Sequence, residues 1–375
     1  MADEVEALEV PAKCLTQMAD IVENILSFAP GRSLESAASV CTLWREIIQR
    51  IRKTRRDYVT LTVGKLNSHK PCFDFSYSLT NVATEPQAAL LFTHISSASA
   101  PNPPYMKDFS KYLRINQASL PRRCVLVGCG TLGIYHLGKS SPNFFSGNNL
   151  LSKEDANNQH AMVLFPRALG VRVCSFHVPL RNKYKSISGI DSFLPVMEEP
   201  VKLVLVLAHP LSLGKLTNFA VNVKKKYGGK TVIAGCYSDC VLFHQSTVTF
   251  REIVGLVFAG DLVSASIVIN SSRENEILEN LHKGLVRLKS TQIPTENAMA
   301  LMFRPPTHQY VDGNMQCRAF QHHFPGVPVV IVDGSAVYGC DTVELERSAS
   351  QAGGRDFLHT QSTILCMFSL STKRN

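Results

Sequence analysis

Residues able to do chemistry are plentiful in this chain, and their spacing decides whether they can act together. Gly128, Gly130 and Gly133 spell G-x-G-x-x-G after an apolar run, Cys124 to Val127. Such glycines let a backbone approach a dinucleotide pyrophosphate at a helix N-terminus. That chemistry also needs a helix opening at the third glycine and an acidic residue about 20 positions on. Here Ile134-Tyr135-His136-Leu137-Gly138 leads into Ser/Asn-rich sequence, and Glu154 falls within that polar stretch. A glycine-rich strand-to-loop turn is expected, and no cofactor.

The sulfur and imidazole groups are equally dispersed. Cys317, His322, His323 and Cys340 lack the paired C-x-x-C knuckles of structural zinc sites, and Cys236 and Cys240 have no second pair. No G-x-S-x-G elbow or catalytic-cysteine context occurs. His322-His323, flanked by Phe320 and Phe324, reads as a half-buried helix end. No catalytic residue, metal ligand or cofactor-binding residue is assigned.

The charge of +9 is concentrated in Arg50, Arg52, Lys53, Arg55 and Arg56, then in Lys224, Lys225, Lys226 and Lys230. Neither cluster is interleaved with aromatics for base stacking, so a solvated helix end and a solvated loop are expected rather than a nucleic-acid interface. The acidic start, Met1 to Glu9, has no secretory character, and the longest apolar runs are far too short for a bilayer. Eleven scattered cysteines fit reduced thiols. The expectation is a cytoplasmic and nuclear protein with no membrane partner. With 45% hydrophobic and 18% charged residues over 375 positions, it should fold into two or three domains.

The elements that would position any site divide at about residue 57. Met18, Ile21, Val22, Ile25 and Leu26 share a helical period that Pro30-Gly31 ends. Leu34, Ala37 and Ala38 support a second short helix; Leu43, Trp44, Ile47, Ile48 and Ile51 support a third. Three short helices make too small a core to stand alone, so this module needs another surface.

Beyond it, the runs Tyr58 to Val63, Ala88 to Ile95, Cys124 to Val127, Met162 to Phe165, Val171 to Val178 and Val201 to Ala208 read as strands. So do Thr231 to Ala234, Ile253 to Phe258, Ala265 to Asn270, Ala298 to Phe303, Val327 to Val332 and Thr363 to Phe368. Several are continuously apolar, as strands covered on both faces are. The fold class is α/β, a small three-helix module followed by mixed α/β domains with predominantly buried strands. Ser96 to Pro104, Lys139 to Asn158 and Lys183 to Pro200 read as exposed loops, and no repeat of fixed period is present.

Gln17 to Arg45 resembles an F-box: I-L-x-F-x-P beside the first helix, then a leucine, then V-C-x-x-W-R. Gln17-Met18 stands where many F-boxes open with Leu-Pro. The resemblance implies docking on a Skp-family adaptor, and through it on a cullin and a RING subunit. The implied adaptor contacts are Met18, Ile21, Ile25, Leu26, Pro30, Leu34, Val40, Cys41, Trp44 and Ile47. Gly255 to Ile269 and Phe320 to Asp341 are similar to stretches of the FIST family, although Ala336-Val337-Tyr338 replaces a frequent Gly-Glu-Ile.

An F-box before both FIST halves is the arrangement of the F-box-only protein twenty-two group. It implies boundaries at 14–56, 58–225 and 226–375, and a non-catalytic substrate receptor of an SCF-type ubiquitin ligase. Protein substrates bound by the FIST region, through the three loops above, would be ubiquitinated and degraded by the proteasome. A second expectation is a small-molecule sensor whose FIST region binds a metabolite.

Overall fold

The computed structural model describes residues 18–63, 75–94, 103–137, 160–179, 192–210, 213–249, 252–270, 276–305, 312–343 and 357–370. The loop expected at Lys139 to Asn158 lies outside these residues, as do most of Ser96 to Pro104 and the first part of Lys183 to Pro200. Helix α1 covers 18–27 of the described chain, followed by α2 (Gly31–Ala37) and α3 (Thr42–Thr54). Pro30, extended at ψ 148°, suits the position just before a helix and separates the first two.

The body continues β1 (Val59–Val63), α4 (Ser76–Asn81), β2 (Pro86–His94), α5 (Pro103–Ser119), β3 (Val125–Thr131), β4 (Gly133–Leu137), β5 (His160–Pro166), β6 (Val171–Val178), β7 (Val201–Ala208), α6 (Leu213–Tyr227) and β8 (Val232–Tyr237). Then come β9 (Leu242–His244), β10 (Thr247–Thr249), β11 (Ile253–Gly260), β12 (Leu262–Asn270), α7 (Ile277–Ser290), β13 (Ala298–Arg304), α8 (Gly313–His323), β14 (Val329–Asp333), β15 (Val337–Gly339), β16 (Leu358–His359) and β17 (Ser362–Leu370).

These strands form three mixed sheets, ordered β1-β5-β2-β3-β9-β10, β16-β15-β8-β7-β11-β6 and β12-β17-β13-β14-β4. Each contains one parallel pair, β2 with β3, β7 with β8 and β13 with β14. Parallel neighbours need a crossover, and the crossover is a helix in each case: α5, α6 and α8. The β-α-β unit therefore recurs three times at unequal spacing, which no fixed sequence period could register.

The inner faces of all three sheets meet in one core. Phe165 packs 4.9 Å from Phe258 and 6.0 Å from Phe368, and Phe92 lies 6.5 Å from Phe303, ring centre to ring centre. Each outer face is closed by helices: Phe109 and Leu113 of α5, Leu216, Phe219 and Val223 of α6, and Leu281, Leu285 and Phe320 of α7 and α8. Coverage on both faces is why β5, β8, β13 and β17 are buried along their whole length.

Two sequence expectations change. The stretch after Gly133 is strand β4, paired with β14, rather than a turn into a loop, because a sheet edge was open to receive it. Lys224, Lys225 and Lys226 form the last turn of α6 rather than a loop. Leu216, Phe219, Ala220 and Val223 give that helix its buried face.

Candidate protein-docking face

Helices α1 to α3 hold together through a small cluster, Leu26, Leu34, Ile47, Ile48 and Ile51, with Val22, Ala29, Leu43 and Trp44 packed around it. Val22 and Leu26, four apart, turn toward this cluster. Met18, Ile21 and Ile25 turn away, and Phe28 follows just past the helix end. Ile25 is 64% exposed, Phe28 84% and Val40, in the turn before α3, 62%. A folded chain rarely leaves so many large apolar side chains in water on so small a module unless another surface covers them.

The residues assigned to adaptor contact thus separate into three sets. Met18, Ile21, Ile25, Val40 and Cys41 are exposed. Pro30 and Trp44 are half-buried. Leu26, Leu34 and Ile47 are buried in the module's own core, where they shape the face and have no free surface to offer. Phe28, omitted from that assignment, is the most exposed of the group. Its signal was the phenylalanine of the I-L-x-F-x-P run. Gln17 lies outside the described residues.

Charge around this face is partly internal. Arg50 of α3 pairs with Glu23 of α1 at 2.6 Å, and that guanidinium holds the Glu23 carboxyl below its ordinary range. Both groups are solvated, so the pair orients the two helices more than it stabilises them.

The reactive groups elsewhere are arranged for structure. Gly128 and Gly130 lie inside β3 and Gly133 opens β4, so no helix follows the G-x-G-x-x-G. Gly133 faces Asp333, whose Oδ2 would stand 2.5 Å from an added Cβ. Cys317 and Cys340 line different cores, while His322 and His323 close α8, the latter 2.9 Å from Nδ1 of His282. Burial pushes the Cys317 and Cys366 thiols up to about 12 and Cys240 to about 11, far from the thiolate that nucleophilic chemistry requires. Among the described residues, no helix is long and apolar enough to cross a membrane, and no group of three or more His, Cys, Asp or Glu could hold a metal ion.

No family model matches the chain. Among solved structures, a cyanuric acid hydrolase from A. caulinodans overlays 84% of this chain and 99% of its own at a TM-score of 0.39 and 10% identity, too loose a likeness to carry functional argument. Among curated proteins, F-box only protein 22 of Homo sapiens and its counterpart from Pongo abelii are each 23% identical over 406 aligned residues, covering 96% of this chain and 94% of theirs. The chain resembles the F-box only protein 22 group along nearly its whole length.

Proposed function

We propose that this chain is the substrate-recognition subunit of an SCF-type ubiquitin ligase, working in the cytoplasm and nucleus. The exposed apolar residues of α1 to α3 dock on a Skp-family adaptor, which joins the chain to a cullin and a RING subunit. The FIST-type body, residues 58–375, binds protein targets for ubiquitination and proteasomal degradation. The chain itself supplies no catalytic residue in this role; transfer belongs to the RING-bound, ubiquitin-charged enzyme.

The observation that carries this reading is the solvent-facing set Met18, Ile21, Ile25, Phe28 and Val40 on a module whose core is otherwise complete. Partner helices seat such a face as anchors in a groove, and a charge placed there would be buried without a partner. The likeness to F-box only protein 22 supports a Skp-family adaptor as the owner of that groove. The test is a pull-down of purified adaptor by the full chain. Retention by wild type and its loss in Ile25→Asp are expected; retention at the wild-type level by Ile25→Asp would refute the reading.

A further inference from the structure

A buried glutamate and three arginines join the three-helix module to the sheet body. Glu85, immediately before β2, keeps only 1% of its side chain exposed. Arg52 of α3 reaches Glu85 Oε2 at 2.6 Å, and Arg167, just past β5, reaches Oε1 at 3.1 Å. The carboxylate is thus shared between one cation of the module and one of the body.

Three residues along, Arg55 closes α3 and gathers three carbonyls. Its Nη1 donates to Ala29 O and to Ala83 O, both at 2.7 Å, and its Nη2 donates to Ser27 O. One guanidinium therefore spans the end of α1 and the body segment before β2. Gly31, at the start of α2, donates its N–H to Val82 O at 2.8 Å. A Cβ there would meet Thr84 O at 2.1 Å, so the two backbones abut where only glycine fits. None of these groups is among the exposed apolar residues of α1.

We propose that this junction locks module and body into one rigid lever, with Arg52, Arg55 and Glu85 as positioning residues for ubiquitin transfer. The inference rests on the ligase reading above and extends it: the angle between adaptor and body, and so the lysines within reach of the charged enzyme, is set by four side chains that touch neither adaptor nor target. Opening the junction would leave Glu85 without a cation from the module and strip two body carbonyls, Ala83 and Val82, of their donors. A buried group deprived of its partner costs the full desolvation it had been spared. The junction therefore opens as a unit or stays closed.

The test uses the full chain with Arg52→Ala and Arg55→Ala combined, both partly exposed positions. Without adaptor, amide exchange in residues 29–34 and 82–85 should rise about tenfold, because local opening then forgoes several charge-assisted bonds. Exchange within β5, β8 and β17 should not change. Exchange at both junction segments equal to wild type overturns the lock. Should the double variant loosen the whole body, Arg55→Lys decides, since it keeps the charge and loses the three-way reach; unchanged junction exchange in that variant also overturns the proposal.

In the assembled ligase, with ubiquitin as the probe, acceptor lysines on residues 58–375 are mapped by mass spectrometry. Wild type should modify a restricted set and the double variant a broader one at equal adaptor affinity. Identical maps overturn the positioning role. Wild type failing to bind adaptor would instead refute the ligase reading and leave the exchange result standing.

Discussion

Arg304 and Asp333, adjacent on the parallel strands β13 and β14, form a two-pronged ion pair inside the body, with Nε 2.7 Å from Oδ1 and Nη2 2.9 Å from Oδ2. The Tyr135 ring of β4 lies 4.7 Å from the guanidinium, and Gln316 of α8 accepts from Nη1 at 3.3 Å. Arg304 has no exposed surface. This cluster pins β4, the strand that the sequence hid, to the sheet edge.

Removing one partner of a buried pair strands the other charge, a loss of about 3–5 kcal/mol. Arg304→Ala is therefore expected to lower the denaturant midpoint far more than a surface substitution. Replacing both members, Arg304→Met with Asp333→Leu, should return part of that loss, because the desolvation cost goes with the charges. Urea unfolding of the two variants checks this; a single-variant loss below about 1 kcal/mol would show the pair to be incidental.

Leu26 and Ile25 are neighbours on α1 with opposite duties. Leu26→Ala removes buried methyl groups from a five-residue core and is expected to destabilise α1 to α3 by about 2–4 kcal/mol. Ile25→Asp, on the exposed face, should leave stability within about 0.5 kcal/mol while abolishing adaptor capture. Thermal unfolding run beside the pull-down separates the two effects. Equal destabilisation by both would mean that Ile25 belongs to the core.

The same pair shows what the sequence could disclose. A helical period places Val22 with Leu26 and Met18 with Ile25, but which stripe turns inward depends on where α2 and α3 lie, and that is tertiary. The buried strands were readable because a strand covered on both faces must be apolar, as Val201 to Ala208 is apart from Lys202; Val171 to Val178, half-buried at a sheet edge, mixes apolar with polar residues instead. Strand β4 was not, since Gly133, Tyr135 and His136 carry no strand pattern and owe their place to pairing with β14, where Gly133 faces Asp333. Arg55 and Arg52 looked like a solvated helix end. Their carbonyl and carboxylate partners lie 26 to 33 positions away, beyond any local pattern.

His160, at the start of β5, is buried, and burial together with the neighbouring charge of His94 lowers its pKa to about 4. The unfolded chain binds its proton at the ordinary value near 6.5, so the folded state is the less protonated form in between. Stability from this group is complete above about 6.5 and is lost as the pH falls toward 4, to the extent of about 2–3 kcal/mol. Unfolding midpoints measured from pH 7 to 5 should decline in wild type and decline less in His160→Gln. Parallel curves would remove His160 as the source.

Cys41 supplies a probe that joins stability to docking. Nine cysteines among the described residues are free of disulfides; Cys41 alone of them is exposed, while Cys174 and Cys240 are half-buried and the other six are buried. It sits beside Val40 just before α3, and both are exposed members of the expected adaptor contacts. Alkylation requires both access and a thiolate, and burial denies the first and suppresses the second at Cys317 and Cys366. A brief pulse of iodoacetamide on the native chain, followed by peptide mapping, should therefore label Cys41 well before any other described cysteine. Adding adaptor in excess should slow that labelling about tenfold, while the already slow labelling of Cys240 stays as it was, since a partner that covers a surface excludes water and reagent alike. Labelling of Cys41 that ignores saturating adaptor would move the docking face away from the turn between α2 and α3, leaving α1 alone to carry it.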